Sequence, residues 1–316
     1  MDAYLCVSID CECDKGERWR IKQPLAFDAI TAGIGARLQP LFRSFGAKPT
    51  YLLSPEVLRD PASLECLTAL EGSAEFGTHL HGEFVEPGAF APDETTAFQC
   101  NYPPEVEQAK LATLTRLFRE AFGAAPRSFR AGRFGIGPHS LGFLADLGYV
   151  VDSSVSPRKS WAKAGAPAAS FLTAPDQPYW PVHTAPTEVA SQPGPLLEVP
   201  VTILPSRLAR WPLIGSRIEP RWLRPTRGTA AGLVKVARDA LARAAGSHRP
   251  VVLNCMFHNV EIMPGLSPYA RNAAEADAIL KRLAALLDFA RCEGIAVVGL
   301  GDIAGLFISA AMRQPA

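Results

Sequence analysis

What the 316-residue chain lacks is an excess of charge of either sign: 32 Lys and Arg stand against 31 Asp and Glu, for a net charge of +1. A nucleic-acid binder needs a cationic footprint to neutralise phosphates, so no electrostatic case exists for that partner. The chain also lacks any apolar run approaching the roughly 18 residues that a membrane span needs. The last apolar stretch, "IAGLFISAAM", is too short and reads as a closing amphipathic helix. No leader is visible: "MDAYLCVSID" has an acid at its second position and no basic start, so a secretory signal is not expected. Cysteines number seven, an odd count in a large chain. That argues against a disulfide framework and for a reducing, cytoplasmic location. No internal repeat and no low-complexity tract is present, which leaves solenoid architectures out.

What is present is an alternation. Hydrophobic residues make up 48% and charged residues 20% of the chain, ordinary for a globular protein. Apolar runs read as strands over 4–9, 49–53, 75–78, 128–131, 150–153, 197–203, 251–257 and 295–298. Between them, apolar residues recurring at three and four, as in "VEQAKLATLTRLFREAF", read as helices over 27–45, 61–70, 104–122, 140–147, 230–245 and 273–291. Gly46, Gly123, Gly148 and Gly294 follow helix ends, where a left-handed cap is expected. Repeated βα units predict an α/β fold, and seven or eight of them in one chain favour a barrel. A single domain over 1–316 is the expected organisation. The exception is the Pro-, Gly- and Trp-rich stretch 156–227, read as one strand flanked by long loops. Such loops in a compact domain are usually functional or mobile.

The first strand runs into "SIDCECD", residues 8–14. If the extended geometry continues to the end of this stretch, Tyr4, Cys6, Ser8, Asp10, Glu12 and Asp14 share one face. Leu5, Val7, Ile9, Cys11 and Cys13 share the other. The cysteines then read as small buried hydrophobes. The three acids project together at the strand's C-terminal end, where they repel unless water or a cation separates them. In a βα barrel that end carries the active site.

A second strand end reads "EFGTHLHGEF". It holds His79 and His81, two of only six histidines, with Glu83 on the same face if the chain stays extended. Paired histidines at a strand end commonly grip a divalent metal. Two imidazoles and a carboxylate with open positions are the ligand set of a catalytic ion. Three more segments end strands: "SFRAGRFGIG" with Arg130 and Arg133, "GYVVDSSVSP" with Asp152, and "VVLNCMFHNVEIMPGLSPY" with His258 and Glu261. Each has a bland reading alone, as a solvated arginine, a capping Asp or a structural His. "GLGDIAG" at 299–305 imitates a dinucleotide turn, but its spacing is wrong and no acid follows to bind a ribose.

In this order the five segments resemble the polysaccharide deacetylases, the carbohydrate esterase family 4 or NodB-homology superfamily, over about residues 8–269. The resemblance implies a deformed (β/α)7 barrel. It implies a metal-dependent hydrolase that removes an N-acetyl group from a sugar of a polysaccharide or its carrier-linked precursor. Asp10 matches the catalytic base and Glu12 the metal-binding acid, with Asp14 as the alternative. The second motif usually separates its histidines by three residues. Here His79 and His81 are two apart, and Glu83 stands at the usual second position. Arg130 matches the arginine that orients the base, Asp152 the acid that supports the catalytic histidine, and His258 that histidine. "FHNVEIMPGLSP" looks most like the branch linked to bacterial surface-polysaccharide biosynthesis.

The implied cofactor is one divalent ion, expected to be zinc, on Glu12, His79 and His81. Arg133, Glu261, Trp211 and Trp222 are the expected substrate-binding residues. Aromatic faces stack on sugar rings, and Arg207, Arg210 and Arg217 could meet a phosphate on a lipid or nucleotide carrier. Two other readings stay open: a related C–N hydrolase, such as a deformylase or metal-free amidohydrolase, and a catalytically inactive sugar-binding homologue. Oligomeric state is not legible in the sequence.

Overall fold

The computed structural model describes residues 2–21, 23–88, 97–206 and 219–312. Its strands are β1 (Ala3–Cys11), β2 (Thr50–Leu53), β3 (Glu75–Leu80), β4 (Ser128–Ala131), β5 (Val151–Asp152), β6 (Pro181–Val182), β7 (Ala185–Val189), β8 (Leu197–Glu198), β9 (Ile203–Leu204), β10 (Arg221–Trp222), β11 (Val251–His258) and β12 (Ala296–Val297). Its α-helices are α1 (Gln39–Ser44), α2 (Pro61–Thr68), α3 (Pro104–Phe122), α4 (Ser140–Asp146), α5 (Ala230–Arg243), α6 (Ala273–Cys292) and α7 (Leu300–Met312). A wider-wound π-helical stretch, Ala29–Leu38, leads directly into α1.

β1 is buried on both faces from Leu5 onward, as a strand in the middle of a parallel sheet must be. It pairs with β11 over Ala3↔Val251 to Asp10↔His258, and with β2 over Ser8↔Thr50 to Cys11↔Leu53. The sheet continues in the order β11-β1-β2-β3-β4-β5-β8, every neighbouring pair parallel, with β12 also paired to β1. Hydrogen bonds of one residue link its two ends. Asn254 of β11 donates through Nδ2 to the Val199 carbonyl at 3.1 Å and to Ser153 Oγ at 2.9 Å, and its own carbonyl accepts from Thr202 N at 3.0 Å. The result is the expected deformed (β/α)7 barrel.

The parity of β1 divides the core. Leu5, Val7, Ile9 and Cys11 pack outward with residues of the covering helices, among them Leu111 and Phe118 of α3 and Leu283 of α6. Cys6 packs inward with Leu52, Val151 and Leu197 from three other strands. α3 shows why such helices form where they do. Pro104 opens it, Glu105 and Glu107 sit in its first turn, and Gly123 at φ 65° closes it. Its buried Leu111, Leu114 and Phe118 make the stripe that meets the sheet.

The stretch 156–227 holds more regular structure than the single strand expected. β6 and β7 form a hairpin, β8 joins the main sheet, and β9 pairs antiparallel with β10. The strand expected over 197–203 is broken because Pro200 has no N–H for a ladder. Trp211, Arg207, Arg210 and Arg217 lie outside the described residues. Among the described residues no helix is long and apolar enough to cross a membrane.

Candidate active site

The C-terminal ends of β1, β3, β4 and β11 meet at one mouth of the barrel. Glu12 follows the end of β1, and Asn259 clamps its backbone: Glu12 N donates to Asn259 Oδ1 at 3.1 Å, and Asn259 Nδ2 donates to the Glu12 carbonyl at 2.9 Å. His79 and His81 bracket the end of β3, and both Nε2 atoms converge on Glu12 Oε1, at 3.2 and 3.0 Å. The far side of each ring is fixed. His79 Nδ1 lies 3.0 Å from the Arg130 carbonyl, which only accepts, so Nδ1 carries a proton and Nε2 is the ring atom turned to the cluster. His81 Nδ1 faces Glu83 Oε1 at 3.2 Å, the carboxylate–histidine arrangement that stands behind many metal ligands.

One ligand atom from each of Glu12, His79 and His81 lies within 4.8 Å of the others, and all three residues are buried. Burial pulls the His81 imidazole down, but Glu12 and Glu83 on either side outweigh it and push its pKa up to about 9. The cluster therefore attracts positive charge, and its donor set suits a divalent ion.

Asp10 sits beside this cluster, one turn of the pleat below Glu12. Arg130, wholly buried, donates through Nη1 to Asp10 Oδ1 at 2.6 Å, through Nη2 to Ser8 Oγ at 2.7 Å and through Nε to the Ser153 carbonyl at 2.9 Å. Burial would raise the Asp10 carboxyl, but Arg130, His79 and His258 outweigh it and hold it below the usual range. Asp10 Oδ2 is left facing His79 Nε2 and His258 Nε2, each at 3.9 Å.

Several expected roles fall elsewhere. Asp152 does not meet His258. It accepts from Ser154 Oγ at 2.5 Å and pairs with Glu198, both wholly buried, and burial pushes both carboxyls up. Asp152 Oδ2 and Glu198 Oε2 have no other partner, the arrangement of two carboxyls that share a proton. The acid behind His258 is instead Glu261, whose Oε1 is 2.9 Å from His258 Nδ1. Glu261 is wholly buried and also accepts from Arg224 and from Thr226 Oγ1, so it has no surface for a substrate.

Asp14 turns away from Glu12, because the strand ends at Cys11. It accepts from Asp28 N at 2.9 Å and Ala29 N at 3.1 Å, opening the π-helical stretch. Arg133 points at the protein, donating to Glu83 Oε1 at 2.8 Å and to the Ala97 carbonyl at 2.9 Å. Sequence reasoning did not single out Lys15, Trp19, Asn259 or Arg224. Lys15 Nζ lies 2.7 Å from Glu12 Oε2, and the Trp19 ring meets His258 edge-on at 4.8 Å. A lysine three residues after a strand-end acid is the one signal that could have flagged Lys15.

Gly132 lets the strand ends approach. A Cβ there would lie 2.4 Å from the Leu80 carbonyl oxygen, so only glycine lets the end of β4 close on that of β3. Beside the site opens a cleft of about 520 Å³, with Trp161 and Trp222 on its wall and Arg224 and Tyr269 at the side nearest His258.

No family model matches the chain, and no curated protein matches it in sequence. Solved structures do match. A protein of Mycobacterium smegmatis designated a polysaccharide deacetylase aligns with a TM-score of 0.54 at 17% identity, over 100% of this chain and 93% of its own. One of Pseudomonas aeruginosa with the same designation aligns at 0.55 and 14%, over 99% and 92%. An allantoinase aligns at 0.54 and 15%, over 97% and 90%. With the strand order and the register of β1 against β11, these likenesses establish that the chain has the fold of the polysaccharide deacetylases.

Proposed function

We propose that this protein is a metal-dependent hydrolase that removes an N-acetyl group from a sugar of a polysaccharide or its carrier-linked precursor. The observation that carries this reading is the convergence of a base, an acid and a metal-type cluster on one point. His258 Nε2 lies 3.9 Å from Asp10 Oδ2 and 3.8 Å from Glu12 Oε1. The designations of the structures that share the fold agree with it.

Glu12, His79 and His81 would hold the ion, and zinc suits two imidazoles and one carboxylate with positions left open. Such an ion supplies Lewis acidity at a carbonyl oxygen and lowers the pKa of water towards about 7. The rest falls to the chain. Arg130 occupies Asp10 Oδ1, so Oδ2 is the oxygen that takes the proton of the attacking water. Glu261 holds His258 Nδ1–H, so Nε2 is the atom that delivers a proton to the leaving amine. Positioned proton transfer of this kind contributes about 10²–10⁴-fold. Trp19, edge-on to His258, covers the ring from solvent. The unpaired cysteines fit a reducing compartment, and a cytoplasmic location belongs to the same proposal.

Because an allantoinase shares the fold, hydrolysis of another C–N bond is the second reading. Acetate release from N-acetylated sugars separates the two. His79→Ala should lose both bound metal, read by elemental analysis, and acetate release. Full metal occupancy in that variant would sink the ligand assignment, and metal-loaded wild type that releases no acetate would favour the second reading.

A further inference from the structure

The cleft beside His258 has an unusual balance of donors and acceptors. Among the described residues its cations are Lys159, Arg224 and Arg227, against one acid, Glu219. Arg224 is committed to Glu261. Glu219 is 86% exposed and 3.6 Å from Lys159, a solvated pair that neutralises little. Arg227 is exposed and has no carboxylate partner among the described residues; its guanidinium lies 5.1 Å over the Tyr269 ring. In a protein of net charge +1 this local excess is not a general property of the surface.

The walls are aromatic. Phe134 and Trp161 stack at 5.8 Å with 10° between their planes, and Trp222 lies 6.0 Å from Phe134. Lys159 Nζ stands 6.0 Å over both tryptophan rings. Tyr269 ties the cleft to the chemistry through Trp19, at 5.7 Å from the one ring and 4.8 Å from His258.

Aromatic walls select a ring with apolar faces. The hydroxyls of a neutral sugar donate as well as accept, and among the described residues this cleft offers their O–H groups few acceptors. Thr226 Oγ1 already donates to Glu261, and the carboxylate of Glu219 is out in solvent. Unused guanidinium and ammonium donors are matched instead by an acceptor-rich group. We propose that the cleft takes a sugar bearing an anionic group, phosphate or carboxylate, with its ring on the aromatic wall and its anion on Lys159 and Arg227. This rests on the deacetylase reading and names the class of its substrate.

The test is binding to the full-length protein stripped of metal, so that no turnover occurs, followed by tryptophan fluorescence. The probes are N-acetylglucosamine, its 1-phosphate, and N-acetylmuramic acid. One or both anionic probes should bind about 10-fold more tightly than the neutral one, the scale of a charge-assisted hydrogen bond. Added salt should shrink the advantage. A preference for the 1-phosphate alone assigns phosphate; one for N-acetylmuramic acid alone assigns carboxylate. Arg227→Gln and Lys159→Gln should each reduce the preference severalfold, and the double variant should bring it near unity. Equal affinities in wild type, or a preference that survives the double variant, would overturn the proposal. Acetate release by the metal-loaded protein is read separately. Release without preference removes the anionic subsite and leaves the deacetylase; preference without release does the reverse.

Discussion

At the mouth of the barrel four carboxylates each have a cation of their own: Asp10 with Arg130, Glu12 with Lys15, Glu83 with Arg133, Glu261 with Arg224. Buried charges persist only when paired, and removing one partner typically costs about 3–5 kcal/mol. Lys15 shows the balance. Burial alone would lower its ammonium, but Glu12, helped by Cys13 and Glu56, outweighs burial and holds it above the usual value. The pairing also assigns roles. If Glu261 orients His258, Glu261→Gln should lower kcat by up to the roughly 10²–10⁴-fold that positioned proton transfer supplies, with little change in KM. Asp152→Asn, away from His258, should change kcat only severalfold. Steady-state kinetics on the two variants decides, and the reverse ranking would return the supporting role to Asp152. The resemblance pointed to Asp152, whereas Glu261, three residues after His258, reaches it through a single 3-10 turn, a local spacing that the sequence does carry.

At the scale of the element, the site is a set of strand ends held at close range. Period-two alternation made β1 legible as far as Cys11, and so put Asp10 on one face and Cys11 on the other. The reading failed beyond it because the alternation persisted in sequence after the strand had ended. Cys13 N turns to Glu56 Oε1 at 3.2 Å, and Asp14 is drawn to the start of the next helix. His79 and His81 were legible for the same reason as Asp10. Glu83 was not, since Gly82–Phe84 winds into a 3-10 turn and returns its carboxylate to His81. The closeness of β3 and β4 has its own test. Gly132→Ala places a Cβ against the Leu80 carbonyl, and overpacking of this kind costs about 1–3 kcal/mol. The variant should melt lower and, if the proposed metal site holds, bind added zinc more weakly than wild type, by calorimetry and by competition with a chelator. Unchanged zinc affinity would mean that the strand ends are not what positions His81.

At the scale of the whole molecule, the alternation of strands and helices was legible because each βα unit carries its own local signals. The contacts that close the barrel were not, because they join residues far apart in sequence, such as Asn254 with Ser153, Val199 and Thr202. Near these contacts lie Asp152 and Glu198, whose carboxyls burial pushes above the ordinary carboxyl range of about 4. Groups of this kind bind a proton more tightly in the folded chain than in the unfolded one. Their contribution to stability is therefore present at acid pH and is lost as pH rises from about 4 through the raised values. A glutamine at 198 can reproduce the protonated pair: its amide can donate to Asp152, and its Oε1 can accept from Val155 N as Glu198 Oε1 does at 3.1 Å. Glu198→Gln should melt at the same temperature as wild type near pH 4 and at a higher one at pH 8. The gap should open as pH rises across the interval where the wild-type pair gives up its proton. Melting curves that run parallel from pH 4 to pH 8 would show that the pair does not titrate there.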